Sequence, residues 1–151
     1  MAHTTRHKLS RFWLILVTTC FNFLIAACAG PGTTQAGAQP CNAGVCKAQV
    51  TVQSCEAGKM SVLPDPIPVS EPNNIEWTFS NSTPGYRFPQ DGIAINGSGF
   101  TLRPGVNGNG SKFTVHDDHT DMRPNIKYTV RVVRDSDGVA CAPYDPYINN
   151  R

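Results

Sequence analysis

The densest group of reactive side chains lies in one short segment, Val115–Met122, which reads VHDDHTDM. It holds the imidazoles of His116 and His119 and the thioether of Met122, with three Asp between them. Imidazole and thioether ligands suit copper, so these three side chains are the candidate metal ligands. A blue-copper centre also requires a nearby Cys thiolate, and none lies near this segment. The competing interpretation is a solvated turn, because Asp favours turns.

Cysteines form the second reactive set, at Cys20, Cys28, Cys41, Cys46, Cys55 and Cys141. The first lies inside an apolar N-terminal run and the second at its end. The remaining four are an even number, which in an exported protein predicts disulfides with three alternative pairings. We favour Cys41–Cys46, which closes a short loop, and Cys55–Cys141, which joins the first strand region to the last. Their spacing matches no common zinc pattern.

Residues 1–27 are typical of a signal peptide. The first eleven residues are basic and lack acids, and an uncharged apolar run then extends from Phe12 to Ala29. The run is nearly long enough to span a bilayer. Asn22 within it and the small residues at its end nevertheless favour a cleaved signal over a permanent transmembrane helix.

The end of this run, Ile25-Ala26-Ala27-Cys28, resembles the lipobox of bacterial lipoproteins. The resemblance implies cleavage before Cys28 and acylation of its thiol and freed amine, and two or more acyl chains hold a soluble domain stably on a membrane. Ala29, where Asp would indicate inner-membrane retention, implies an outer-membrane location, facing the periplasm or the cell surface. Simple secretory cleavage, which would release a secreted protein, is the alternative.

Residues 28–40 are predicted to be a disordered tether, because they carry no charge and no large apolar side chain. Residues 41–151 then form the one folded domain. Three of the thirteen Lys and Arg lie in the leader, so ten remain against eleven Asp and Glu after it, a net charge of −1. Nothing in this balance supports nucleic-acid binding.

Strict apolar alternation predicts three strands, at Ala48–Val52, Ile75–Phe79 and Ile126–Val132. Four weaker strands are predicted at Lys59–Leu63, Gly92–Ile95, Phe100–Arg103 and Lys112–His116. No segment keeps a helical apolar period, and Gly, Pro, Asn and Asp separate the strands. The pattern predicts an all-β fold, a small antiparallel β-sandwich.

Three motifs in this region also resemble small exported bacterial proteins of uncharacterised function. They are a Trp-Thr-Phe strand at Trp77–Phe79, the Thr-Pro-Gly-Tyr-Arg-Phe-Pro segment at Thr83–Pro89, and the Asp145–Asn149 signature near the end. The resemblance implies an immunoglobulin-like or cupredoxin-like outline. It implies no activity.

Tyr86, Arg87 and Phe88 are the candidate binding residues for a protein or glycan partner, because aromatic and Arg side chains are common interface anchors. Alternatively, these aromatic rings close one end of the sandwich. No Gly-x-Ser-x-Gly motif is present, and both His after the leader lie in an acidic segment. We therefore expect a non-enzymatic lipoprotein with a structural or binding role and no cofactor, with metal binding and hydrolysis as the alternatives.

Overall fold

The computed structural model describes residues 41–151, and the predicted signal peptide, Cys28 and the tether lie outside this range. The described residues form the predicted small β-sandwich. Its eleven strands are β1 Val45–Val52, β2 Met60–Leu63, β3 Ile67–Val69, β4 Asn73–Phe79, β5 Tyr86–Arg87, β6 Ile93–Ile95, β7 Phe100–Val106, β8 Lys112–Asp117, β9 Ile126–Val130, β10 Val133–Arg134 and β11 Tyr147–Asn150.

The larger sheet has five strands in the order β2-β1-β4-β8-β7, and the smaller has four in the order β3-β11-β9-β6. Strands β5 and β10 form a separate two-stranded ribbon. Most neighbours are antiparallel, as predicted, but β1 pairs with β4 and β3 pairs with β11 in parallel. Parallel neighbours need a long connection, and in the first case β2 and β3 supply it.

The core lies between the sheets and consists of the alternate side chains that face inward. Val50 and Ile75 of the larger sheet and Ile126 of the smaller one are completely buried. Trp77 and Tyr128 meet across the interface, with ring centroids 5.4 Å apart and an indole N–H that donates to the phenol oxygen at 3.2 Å. The strand alternation seen in the sequence therefore corresponds to one buried face on each sheet.

Two disulfides reinforce the domain. Cys55 is bonded to Cys141 across a sequence separation of 86, which confirms the predicted long pairing. The backbone N–H of Ala142 donates to the carbonyl of Cys55 at 3.0 Å beside it. Cys41 is bonded to Cys46, so the shorter loop is closed at the start of β1. The longer bond, Cys55–Cys141, covalently joins the first hairpin to the segment after β10.

Two Asp-Pro segments far apart in sequence lie side by side. Ile67, shortly after Asp65, is the parallel neighbour of Ile148 in β11. The Asp65 carboxylate accepts hydrogen bonds from the Tyr147 backbone N–H and the Tyr144 hydroxyl, both at 3.0 Å. These contacts fix the outer edge of the smaller sheet.

Candidate functional site

The two imidazoles predicted as metal ligands have different neighbours. His116 lies in β8, where side chains alternate between the two faces, and its Nδ1 is 3.0 Å from the Asn74 side-chain oxygen in β4. His119 has a left-handed backbone, φ 57°, and its Nε2 is 3.4 Å from the carbonyl oxygen of Val69. Both partners are amide oxygens, and neither is the hydroxyl that a nucleophilic triad would require.

Met122, the third predicted ligand, is 55% exposed. Across residues 41–151 no group of three or more His, Cys, Asp and Glu side chains is arranged to hold a metal ion. The copper site predicted from His116, His119 and Met122 therefore stays a prediction, and the positions of these three side chains do not support it.

A different polar group, which sequence reasoning missed, lies inside the sandwich at the same end. It consists of Asn73 at the start of β4, Asp117 at the end of β8 and Asn150 at the end of β11, and we call it the inner polar cluster. Asn73 stands directly opposite Asp117 in the β4–β8 register. The three residues are between 0% and 2% exposed. They replace the apolar side chains that fill the rest of the core.

Each member of the inner polar cluster has a buried oxygen without a hydrogen-bond partner in the described part of the chain. These atoms are Asn73 Oδ1, Asp117 Oδ2 and Asn150 Oδ1. A fourth such atom, Asn149 Oδ1, belongs to the preceding residue of β11, whose side chain points to the opposite face. Buried polar atoms in native proteins nearly always have partners, so these unpaired acceptors distinguish this end of the sandwich from its apolar core.

Asp117 is the charged member of the cluster, and its environment is unfavourable to that charge. Burial raises the pKa of its carboxyl above the usual range, although the backbone N–H of His119 and the side-chain amide of Asn150 oppose this effect. The His119 N–H donates to Asp117 Oδ1 at 2.8 Å. The carboxyl group thus accepts a backbone hydrogen bond on Oδ1, and the Asn150 amide lies close to it.

The loop after β8, which contacts Asn150 of the cluster, is held by an ion pair. Arg123 donates to both oxygens of Asp121, with an Nη2–Oδ2 distance of 2.6 Å. The arginine hydrogen bond lowers the pKa of Asp121 to about 2, and the Ser98 backbone N–H also donates to this carboxylate. The carbonyl of Asp121 accepts from Asn150 Nδ2 at 2.9 Å, which connects this loop to the cluster.

The structure separates the three predicted binding residues. The prediction of Phe88 as a binding residue is wrong, because its side chain is only 2% exposed and packs on Phe79, with ring centroids 4.4 Å apart. Its apolar side chain is more stable in the core than on a surface. Tyr86 and Arg87 form β5 and remain half-buried at the surface, where Arg87 forms an ion pair with Asp135 at 2.7 Å. Of the three predicted binding residues, only Tyr86 and Arg87 are accessible to a partner.

Arg87→Ala is expected to change the free energy of unfolding by less than about 1 kcal/mol, because both members of its ion pair lie at the surface in partial contact with solvent, where ion pairs contribute little. Urea denaturation checks this. A larger loss would mean that the side chain is a structural element, which would remove it as a candidate contact for a partner.

No protein-family model matches the sequence, and no curated protein is significantly similar to it. Between Cys41 and Arg151 the fold includes no helix with the length and hydrophobicity that a membrane crossing requires.

Proposed function

We propose that this chain is an exported lipoprotein, fixed to the bacterial outer membrane by acyl chains on Cys28, whose β-sandwich has a structural or binding role. The observation that carries the proposal is the Cys55–Cys141 disulfide. Disulfides persist in oxidising compartments such as the periplasm and are rare in the cytosol. The bond therefore supports a location outside the cytoplasm.

The leader supports the same proposal independently. A basic start, an apolar run and the Ile25-Ala26-Ala27-Cys28 motif precede the domain in the order that export and acylation require. The domain itself begins at Cys41, thirteen positions after the proposed acylation site. A chain of that length reaches roughly 20 Å as a flexible coil, so the sandwich would stand clear of a membrane surface.

A non-enzymatic role agrees with the chemistry available on the domain. The hydrogen-bond partners of His116 and His119 are amide oxygens rather than nucleophiles. The accessible side chains Tyr86 and Arg87 remain the proposed contacts for a protein or glycan partner. Aromatic and Arg side chains are the types most often found at the centre of such interfaces.

Replacing the acylation site should release the protein. We expect Cys28→Ala to move the chain from the membrane fraction to the soluble fraction, or to leave it uncleaved, because a thiol is needed for the acyl chains that anchor it. Ultracentrifugation of cell extracts followed by immunoblotting measures the distribution.

Cys20→Ala is the matched control, because it removes a second thiol from the same leader. It should leave the membrane fraction unchanged. Cleaved Cys28→Ala protein that stayed in the membrane fraction would contradict lipidation at this residue.

A further inference from the structure

We propose that Asn96 is a site of spontaneous deamidation, the reaction that converts an Asn followed by Gly into Asp and isoaspartate. The sequence contains three Asn-Gly pairs, which begin at Asn96, Asn107 and Asn109. Gly has no side chain to hinder its own backbone nitrogen, so all three pairs have the reactive sequence. The structure distinguishes between them. This inference does not depend on the proposed function, because it rests only on atoms within the domain.

The reaction needs only water as a second reactant. The backbone nitrogen of Gly97 loses its proton and attacks the side-chain carbonyl carbon of Asn96. The new C–N bond closes a succinimide ring, the bond to the side-chain nitrogen breaks, and that nitrogen leaves with a proton as ammonia. Water then opens the ring at either carbonyl, which yields Asp or isoaspartate. The Asn side chain must therefore be free to rotate towards the following backbone nitrogen.

The side chain of Asn96 has this freedom. It is exposed in the loop between β6 and β7, and its amide forms no hydrogen bond with any residue in the range 41–151. Only the backbone of Asn96 is held, because its N–H donates to the Lys127 carbonyl at 2.9 Å and its carbonyl accepts from Arg123 Nη2 at 3.0 Å. The side chain can therefore rotate towards Gly97 while the main chain stays in place.

The other two pairs are restrained by the turn between β7 and β8. Asn107 Oδ1 accepts from the Lys112 backbone N–H at 2.9 Å, and its Nδ2 donates to Ser111 Oγ at 3.0 Å. Asn109 Oδ1 accepts from the backbone N–H and the hydroxyl of Ser111, at 3.0 and 2.7 Å. The Gly110 N–H, which would attack Asn109, donates instead to the Asn107 carbonyl at 2.9 Å. Both side chains must break these bonds before a ring can close.

The packing around Gly97 explains why a bulkier, slower-reacting residue does not follow Asn96. A Cβ at position 97 would lie 2.8 Å from both Ile126 Cγ2 and Phe100 Cε2, and 3.1 Å from Asp121 Oδ2. Any residue other than Gly would have to displace these atoms. The reactive Asn-Gly pair is therefore required by the fold of this loop.

The product would change a contact that holds the loop. Isoaspartate adds one carbon to the main chain at position 96 and places a new carboxylate there. Arg123, which pairs with Asp121, also donates to the Asn96 carbonyl. The longer main chain would displace this carbonyl from Arg123, so the modification would loosen the β6–β7 loop from the segment after β8.

The test is incubation of the purified full chain in mildly alkaline buffer, followed by digestion and tandem mass spectrometry that separates Asn, Asp and isoaspartate at each position. Asn96 should react roughly ten times faster than Asn107 or Asn109, because one or two net hydrogen bonds correspond to about this factor in a rate. In urea, where the fold is lost, the three positions should react at similar rates.

Ser111→Ala is the matched variant, because it removes the hydroxyl that contacts both the Asn107 and the Asn109 side chains. It should speed conversion at these two positions several-fold and leave the rate at Asn96 unchanged. Equal rates at the three positions of the folded chain, or conversion of Asn107 or Asn109 before Asn96, would overturn the proposal. Unchanged rates in Ser111→Ala would also count against it, because the turn hydrogen bonds would then not be what protects the other two pairs.

Discussion

Cys55→Ser combined with Cys141→Ser should lower the free energy of unfolding by about 4–5 kcal/mol. The bond spans a sequence separation of 86 residues, so its loss restores a large amount of conformational freedom to the unfolded chain. Total stabilities of single domains are only about 5–15 kcal/mol. The melting temperature should therefore fall by roughly 20 °C, as measured by circular dichroism.

The shorter disulfide provides the matched comparison. Cys41→Ser with Cys46→Ser opens a loop with a separation of only 5 residues, for which the same model gives about 2 kcal/mol. The two double variants should thus differ clearly in stability. An unchanged melting temperature after loss of the Cys55–Cys141 bond would contradict its proposed contribution.

Trp77→Ala should lower the free energy of unfolding by about 3–5 kcal/mol. The indole is completely buried between the sheets, and its N–H donates to Tyr128 Oη at 3.2 Å. The substitution removes the largest buried side chain in the described domain and leaves a cavity that neighbours fill only in part. Urea denaturation followed by circular dichroism measures the loss.

Tyr128→Phe separates the hydrogen bond from the packing. It keeps the aromatic ring 5.4 Å from the indole but removes the acceptor, which should cost about 1–3 kcal/mol because the buried N–H is left unpaired.

If Trp77→Ala were neutral, the two sheets could not be packed around this side chain.

Sequence alone predicted seven of the eleven strands, and the strongest predictions are those with one buried and one exposed face. All seven predicted strands are present, and the three strongest, at Ala48–Val52, Ile75–Phe79 and Ile126–Val132, lie in central positions of the two sheets. The third is two residues shorter than predicted. Strict alternation arises because a central strand must bury every second side chain, so the period reflects the sandwich directly.

Four short strands could not be predicted, for local reasons. Strand β3 has three residues with Pro68 in the middle, and Pro is normally confined to sheet edges. Strand β11 contains Asn149 and Asn150, a residue type depleted in strands. Strands β5 and β10 have two residues each. Their pairing depends on tertiary contacts rather than on periodicity.

The inner polar cluster was hidden for a related reason. Asn73 and Asp117 become neighbours only when β4 pairs with β8, and Asn150 contacts Asp117 from the other sheet. In sequence, Asp117 appeared to be part of an acidic turn. One signal was present: Asp117 continues the inward period of Phe113 and Val115, which should place its carboxyl inside the sandwich.

Phe88 was a candidate binding residue and was therefore expected at the surface, but it is buried. The alternative interpretation had its ring closing one end of the sandwich, and the structure agrees with that alternative, because this one side chain turns into the core while Tyr86 and Arg87 stay at the surface. Residue type alone does not distinguish an aromatic anchor for a partner from an aromatic member of the core.

Intact-mass and tandem mass spectrometry of the chain isolated from cell membranes tests the central claim most directly. The proposal predicts a polypeptide that begins at Cys28, with a diacylglycerol on its thiol and a further acyl chain on its amine. A mature N-terminus without lipid, or a chain that still carries residues 1–27, would contradict it.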